Sequence, residues 1–247
     1  MRIVSLVPSW TEYLLDLGLE KEVVGRTKFC IRPEHFVQDI DKVGGTKNLQ
    51  IEKIKALKPD LIIANIEEND REQVLACGLF CKVLLTDVRS VESALKEAER
   101  IAYAVGKTEA GAQWIRQIRD AWGTVRPIHS SATYVVWKTP LMVAGHDTYI
   151  NDVMRWWGIK NLGGKWRNGR YPQPPNDEWT LTKSDWTLLP SEPFPFREKH
   201  LSEFDASQSQ PLLVDGEAFS WYGSRMLQAA EYLTDLVNVM TESGSED

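Results

Sequence analysis

The chain has 247 residues, which suffices for one large domain or two of ordinary size with a core that needs no disulfide. Apolar residues make up 43 % and charged residues 26 %, and the formal net charge of −6 comes without a basic cluster, which excludes nucleic acid as a partner. No stretch approaches the roughly 18 apolar residues of a membrane-spanning helix, so we expect no transmembrane segment.

The first hundred residues alternate short apolar runs with amphipathic ones, which predicts alternating strands and helices. The predicted strands are IVSLV (3–7), EVVG (22–25), LIIAN (61–65) and KVLLTD (82–87). The predicted helices are 9–17, 51–58 and 69–77, each followed by a glycine or a proline. Ser9 and Glu12 are interpreted as a capping box at the start of the first helix. The alternation predicts a mostly parallel sheet covered on both faces.

Two helical patterns then follow one another without an intervening strand. Ser90 is predicted to begin the first, which ends near Gly106, and Thr108 the second, which Pro127 closes. We interpret the second helix as a rigid bridge between two lobes. The predicted divisions are an N-terminal α/β lobe with a trailing helix (1–106), a bridging helix (107–127) and a C-terminal α/β lobe (128–247).

The alternation resumes in the C-terminal lobe. Its predicted strands are TYVVW (133–137), DWTLLP (185–190) and PLLVD (211–215). Thr148 is predicted to begin a helix that ends at Gly158, residues 163–180 to form a long loop, and residues 223–240 to form the closing helix. The predicted fold class is α/β, with two Rossmann-like lobes of mainly parallel sheets joined by one long rigid helix.

Residues that follow the strands are candidates for a binding site, because ligands of open parallel sheets bind beyond the carboxyl ends of the strands. The candidates at these positions are Ser9, Trp10, Phe29, Glu67, Glu68 and Trp137. If the two lobes face one another, these aromatic side chains would surround a large flat ligand. Core packing is the alternative for Trp10 and Phe29.

The segment DGEAFSWYGSR (215–225) combines two aromatic residues with charges and glycines. Trp221 and Tyr222 lie in a turn rich in serine and glycine, which favours a position in a pocket over one in the core. Arg225 begins the last predicted helix, where a cation opposes the helix dipole. We therefore expect a carboxylate partner for Arg225, either Asp215 or a ligand, although Asp215 could instead cap the turn.

Neither the cysteines nor the histidines indicate a metal site. Cys30, Cys77 and Cys81 are an odd number and are predicted to be free thiols, and the four histidines lack the spacing of a zinc site. The glycines of GGTKN (44–48) could form an anion-binding nest or a plain turn, and the turn is favoured because the spacing is not that of a P-loop. We expect no cofactor and no metal.

Three stretches of the N-terminal half carry a family resemblance. RIVSLVPSWTEYLLDLG, VVGRTKFC and LQIEKIKALKPDLIIAN resemble the N-terminal lobe of the cluster-III periplasmic binding proteins of ABC importers, and AGHDTYINDVMRWWGIKNLGG resembles a helix of the second lobe. These receptors for cobalamin, siderophores or haem have two lobes joined by a rigid helix. The chain looks most like the cobalamin-binding type.

The resemblance also implies roles for individual residues. Ser9 and Trp10 fall in the first cleft loop, and Phe29 falls where the cobalamin binders carry an aromatic residue. The remaining residues that it places at the cleft are Trp137, Trp221 and Tyr222. Glu52 and Glu178 match the two surface carboxylates that such proteins present to permease arginines.

Two hypotheses of different classes result. The first is a monomeric solute-binding protein, not an enzyme, that captures a corrinoid or a related metal chelate in an inter-lobe cleft for an ABC permease. The alternative is an intracellular enzyme that modifies or loads a tetrapyrrole, with Cys30 as a reactive thiolate. The resemblance implies a periplasmic location, whereas MRIVSLVPS enters a strand without a signal-peptide pattern, so a cytoplasmic location stays open.

Overall fold

A computed structural model gives the fold and describes residues 1–175, 178–179, 183–204 and 207–242. The chain divides into two compact units, and the boundaries do not follow the chain order. The first unit consists of Met1–Val88, Glu92–Asp120 and Trp221–Met226. The second unit consists of Arg89–Val91, Ala121–Ser220 and Leu227–Asp247. The segment Trp221–Met226 thus belongs to the unit formed by the N-terminal residues.

The sheet of the first unit is parallel and has the order β3-β2-β1-β6-β7. Its strands are β1 (Ile3–Ser5), β2 (Val23–Arg26), β3 (Asp41–Lys42), β6 (Leu61–Asn65) and β7 (Lys82–Thr86). The short strands β4 (Gly44–Gly45) and β5 (Asn48–Leu49) form a separate antiparallel hairpin. All residues of β6 are buried, as the continuous apolar run LIIAN predicts for a central parallel strand.

The helices of the N-terminal half agree with the predicted alternation. They are α1 (Pro8–Asp16), α2 (Glu34–Val37), α3 (Ile51–Ala56), α4 (Arg71–Gly78), α5 (Val91–Ala104) and α6 (Thr108–Trp122). Asp70 caps α4 by accepting a hydrogen bond from the Gln73 amide. Helix α3 was predicted to extend as far as Pro59 but ends at Ala56. The backbone can no longer be helical at Lys58, which has a left-handed conformation with φ of 48°.

The predicted capping box of α1 is wrong. The helix begins at Pro8, Val7 occupies the N-cap position, and no side chain caps the amides there. Proline suits the first helical position, because its missing N–H would have no partner within the helix. The carboxylate of Glu12 instead binds the guanidinium of Arg225, which is a stronger partner than a backbone amide.

The sheet of the second unit is also parallel, with the order β10-β8-β11-β12, and β9 pairs antiparallel with β8. Its strands are β8 (Ser130–Trp137), β9 (Met142–Val143), β10 (Ile159–Asn161), β11 (Trp186–Pro190) and β12 (Gln210–Val214). The sequence prediction missed β9 and β10. Both strands are only two or three residues long, which is too short for a periodic signal.

The helices of the second half are α7 (Tyr149–Trp156), α8 (Gly216–Ser220) and α9 (Arg225–Glu242), with 3₁₀ turns at Leu162–Lys165 and Glu198–Glu203. The Thr148 hydroxyl accepts from the Asn151 amide and caps α7, as predicted. Residues 176, 177 and 180 of the predicted long loop lie outside the described residues.

The predicted fold class is confirmed as α/β with mainly parallel sheets in two units. Helix α6 lies within the range 107–127 that we assigned to a bridge. Its role as a rigid spine, like the three predicted divisions of the chain, stays a prediction. No helix of the described residues is long and apolar enough to cross a membrane.

Candidate ligand-binding site

The strand order of the first sheet reverses between β1 and β6. From β1 the chain proceeds to β2 and β3 on one side, and the later strands β6 and β7 extend the other side. Ligands of such sheets bind beyond the carboxyl ends of the strands at this switch point. The segments that leave the sheet there are residues 6–10 and residues 66–70, which makes these two segments the first candidates for a binding site.

Two buried asparagines build the loop that follows β6. The Asn69 side chain accepts from the Asn65 amide at 2.8 Å and donates to the carbonyls of Leu6 (3.1 Å) and Thr46 (3.2 Å). The Asn65 oxygen accepts from the amides of Glu67 (2.8 Å) and Glu68 (3.3 Å). These bonds hold the loop in one conformation. The sequence analysis missed both asparagines, although asparagines that flank a turn after a strand are a usable signal.

The GGTKN stretch supports the same loop. It forms the hairpin of β4 and β5, which agrees with its interpretation as a turn. The Lys47 ammonium donates to the carbonyl oxygens of Glu67 at 2.6 Å and Asn69 at 3.4 Å. The ammonium group therefore satisfies two backbone carbonyls of the neighbouring loop.

Trp10 lies at the start of α1, directly at the switch point, and is fully buried. Its indole Nε1 donates to the Thr86 hydroxyl at 3.0 Å. The same hydroxyl accepts from Asn65 Nδ2 at 3.2 Å and donates to the Ala64 carbonyl at 2.9 Å. Trp10 is thus fixed to the end of β7, and the neighbouring candidate Ser9 is buried as well.

The segment Trp221–Met226 packs on this end of the first unit. The Tyr222 ring lies 4.5 Å from the Trp10 ring between centroids, and its hydroxyl donates to Glu68 Oε1 at 2.8 Å. Gly223 has a φ of +76°, and a Cβ there would lie 3.1 Å from the Cβ of Tyr13 and 3.3 Å from Trp10 Cζ3. Both the backbone conformation and the close approach therefore require glycine.

Arg225 has a carboxylate partner, as expected, but the partner is Glu12 and not Asp215. The Arg225 Nε donates to Glu12 Oε2 at 2.9 Å, and a second nitrogen donates to the other oxygen. Both side chains are largely buried. Asp215 instead accepts from the Glu217 amide at 2.9 Å and caps the turn, which is the alternative stated above.

The aromatic candidates of this unit differ in exposure. Trp221 is buried, with the Arg225 guanidinium 5.6 Å from its ring centre. Phe29 is 49 % exposed, which excludes its interpretation as a core residue, and Ile66 at the end of β6 is 52 % exposed. Ile66 was not a candidate in the sequence, because an isolated isoleucine after a strand is also typical of a core.

Cys30 also follows β2 but is completely buried. The Thr11 hydroxyl donates to its sulfur at 3.0 Å, and the Thr27 hydroxyl lies 3.1 Å away. Burial raises the pKa of the Cys30 thiol. The group is therefore a protonated thiol near neutral pH, which disfavours a role as a nucleophile. Cys30, Cys77 and Cys81, all in the described part of the chain, form no disulfide.

Trp137 ends β8, next to the point where the strand order of the second sheet reverses between β8 and β11. It is 40 % exposed, its Nε1 donates to the Thr139 carbonyl at 3.0 Å, and the Phe194 ring contacts it edge-on at 5.5 Å. After β11, Glu192 accepts from the Ser220 hydroxyl at 3.1 Å.

The two predicted docking carboxylates are both exposed. Glu52 lies in the first turn of α3. Glu178 accepts a hydrogen bond from the Trp166 indole at 2.6 Å. Within the described ranges, no group of three or more His, Cys, Asp or Glu residues could hold a metal ion.

Comparison with known proteins gives a consistent result. The sequence profile of a family described as periplasmic binding protein matches residues 3–189. An uncharacterized ABC transporter substrate-binding lipoprotein, YvrC of Bacillus subtilis (strain 168), is 28 % identical over 174 residues, which are 65 % of this chain and only 54 % of that protein. The vitamin B12-binding protein of Yersinia pestis (strain Pestoides F) is 25 % identical over 77 % of this chain and 69 % of its own.

A solved structure supports the fold. The periplasmic heme-binding protein RhuT from Roseiflexus sp. RS-1, in its apo form, aligns with a TM-score of 0.79. The alignment covers 99 % of each chain at 20 % sequence identity. This likeness extends to both units of the chain.

Proposed function

The chain belongs to the periplasmic binding protein family, and on that premise we propose that it captures a tetrapyrrole-type metal chelate for an ABC importer. The relatives named above are described as substrate-binding, vitamin B12-binding and heme-binding proteins. The observation that carries the proposal is the assembly of Trp10, Tyr222 and Glu68 at the switch point of the first sheet. A flat ligand would contact the exposed side chains of Phe29 and Ile66, while the buried rings of Trp10 and Tyr222 would pack beneath the loop after β6.

The energetics of such binding would depend on apolar burial and stacking, since no bond is made or broken. The loop after β6 is already held by Asn65 and Asn69. A ligand that contacts it therefore loses little free energy to the ordering of the protein. The prediction that Trp137 of the second unit contacts the same ligand belongs to this proposal.

Among tetrapyrroles, we propose a corrinoid. The carboxylate of Glu67 is the candidate acceptor in the loop at the switch point, because that of Glu68 accepts from the Tyr222 hydroxyl. The cations of Lys47 and Arg225 bind loop carbonyls and Glu12. Carboxylates accept hydrogen bonds from the amide groups at the periphery of a corrin ring and repel the carboxylates of a haem. The charge of the loop after β6 thus favours the amide-bearing ligand, whereas the exposed Lys28, whose ammonium lies 4.9 Å from the Phe29 ring centre, adds a cation on the neighbouring loop.

The alternative of an intracellular enzyme finds no support. The relatives are binding proteins, and the cysteine on which the alternative depended is a buried thiol with a raised pKa.

The decisive experiment is an equilibrium titration of the purified protein with cyanocobalamin and, separately, with haemin. We expect one equivalent of cyanocobalamin to bind and to be recovered chemically unchanged, with haemin binding more weakly. Preference for haemin would contradict the corrinoid assignment while preserving solute capture. Failure of both ligands to bind would overturn the proposed function.

Glu52 and Glu178 are proposed to dock to arginines of the permease. Lysine at both positions is expected to leave ligand affinity unchanged and to abolish the ligand-dependent stimulation of ATP hydrolysis by the importer, because like charges then meet. Glu20→Lys together with Glu231→Lys is the matched control, since both residues are exposed and the pair changes the charge equally at other places on the surface. Equal stimulation by both double variants would contradict the docking role.

A further inference from the structure

We infer that Glu68 is a positioning residue that holds the Tyr222 side chain in the conformation required for ligand binding, an inference that rests on the proposed function. In the sequence, Glu68 was a candidate only because it follows a predicted strand. Its contact with Tyr222 joins two residues that are 154 positions apart. The Glu68 carboxylate thus binds a side chain of the Trp221–Met226 segment within the first unit.

The carboxylate is presented from a rigid support. The Glu68 amide donates to the Asn65 side chain, and the preceding carbonyl, that of Glu67, accepts from Lys47 at 2.6 Å. Asn69, the next residue, is tied to the carbonyls of Leu6 and Thr46. Because the backbone is held on both sides of Glu68, its carboxylate can hold the Tyr222 hydroxyl in one position.

Several contacts anchor the Trp221–Met226 segment. Gly223 brings the backbone against Trp10 and Tyr13, and Arg225 ties the start of α9 to Glu12. Both of these contacts act on residues that follow Tyr222 in the chain. The hydrogen bond to Glu68 acts on the Tyr222 side chain itself, since it holds the hydroxyl end of that side chain at 2.8 Å from a charged acceptor.

The orientation of Tyr222 also affects its neighbours. Its ring lies against Trp10 at 4.5 Å between centroids, and Trp221 precedes it directly in the chain. A Tyr222 side chain that can leave this position would have to be ordered when the ligand binds, which lowers affinity even if every contact can still form. Loss of the Glu68 carboxylate should therefore weaken binding without unfolding the protein.

A double-mutant cycle on ligand affinity tests this inference. Glu68→Ala and Tyr222→Phe are each expected to weaken cyanocobalamin binding by about tenfold, the range for a hydrogen bond to a charged group. The double variant should be no weaker than either single variant, because both remove the same bond. Glu68→Gln, whose amide oxygen can still accept, should restore affinity to within about threefold of the wild type. Additive losses, or no loss at all, would overturn the inference.

Hydrogen exchange of the ligand-free protein tests the positioning independently. Glu68→Ala is expected to accelerate amide exchange at residues 221–226 by about tenfold, since exchange reports local opening. Glu67→Ala, which removes an equal charge from the same loop, should leave that exchange unchanged. Unchanged exchange in Glu68→Ala would refute the positioning role. Faster exchange in a protein that binds no tetrapyrrole would support positioning while the proposed function fails.

Discussion

The carboxyl edges of the two sheets are built in different ways. At the edge of the first unit the aromatic side chains of Trp10 and Tyr222 are buried, and both donate hydrogen bonds to side chains distant in sequence. At the edge of the second unit Trp137 is 40 % exposed and donates to a carbonyl only two residues away. The first edge is thus held by long-range contacts and the second by local ones.

The two edges therefore differ in how much they contribute to folding stability and to ligand affinity. Long-range contacts of buried groups contribute to folding and also fix the rings before a ligand arrives. A half-exposed ring with a local hydrogen bond contributes little to folding and keeps area available for a ligand. Substitutions at the first edge should therefore reduce stability, affinity or both, whereas those at Trp137 should reduce affinity alone.

The largest effect is expected for the ion pair that anchors α9. Glu12→Ala leaves the Arg225 guanidinium largely buried without its carboxylate and should lower the free energy of unfolding by about 3–5 kcal/mol. Urea denaturation followed by circular dichroism measures this loss. Asp147→Asn is the control, because it breaks the half-exposed pair with Arg89 in the second unit and should cost less than about 1 kcal/mol. Equal losses would remove the distinction between the two regions.

The next effect concerns the loop after β6. Asn69→Ala removes three hydrogen bonds of a buried side chain and should destabilise the protein by about 2–3 kcal/mol in the same denaturation experiment. In the second unit, Asn161 also makes three hydrogen bonds but is only half-buried. Asn161→Ala should cost about 1 kcal/mol, because water can replace its bonds. A smaller loss for Asn69 than for Asn161 would contradict the picture of a fixed first edge.

Trp221→Leu separates affinity from stability. Leucine keeps part of the apolar volume but no flat ring, so cyanocobalamin affinity should fall by about 1–2 kcal/mol, or roughly 5- to 30-fold. Calorimetric titration measures this change. Trp186 is equally buried but lies at the amino end of β11, so Trp186→Leu should leave affinity unchanged. Unaltered affinity in Trp221→Leu would exclude Trp221 from ligand contact.

The smallest effect is expected for Trp137→Ala. The ring is already 40 % exposed, so the free energy of unfolding should change by less than about 1 kcal/mol, and affinity should fall by up to about fivefold. Tyr103→Ala, which removes a side chain that is 77 % exposed on α5, is the control and should change neither quantity. A stability loss without an affinity loss would show that Trp137 is structural.

Local patterns made most of the fold predictable. The apolar run of β6 and the threonine that caps α7 act over a few residues, and the structure confirms both. The positions of Trp10, Phe29 and Trp137 at the carboxyl ends of strands followed from the same alternation. The predicted capping box failed although its spacing was correct, because Glu12 has a better partner elsewhere in the chain.

Hydrophobic periodicity and turn residues are local properties, so the sequence alone predicted the longer parallel strands and the residues that follow them, but not β3, β9 or β10. Which of those residues meet depends on the tertiary structure. Arg225 reaches Glu12 across 213 positions, and Tyr222 reaches Glu68 across 154. Neither partner has a local signature, because such pairs form when packing brings buried charges and hydroxyls together and each must then find a hydrogen-bond partner.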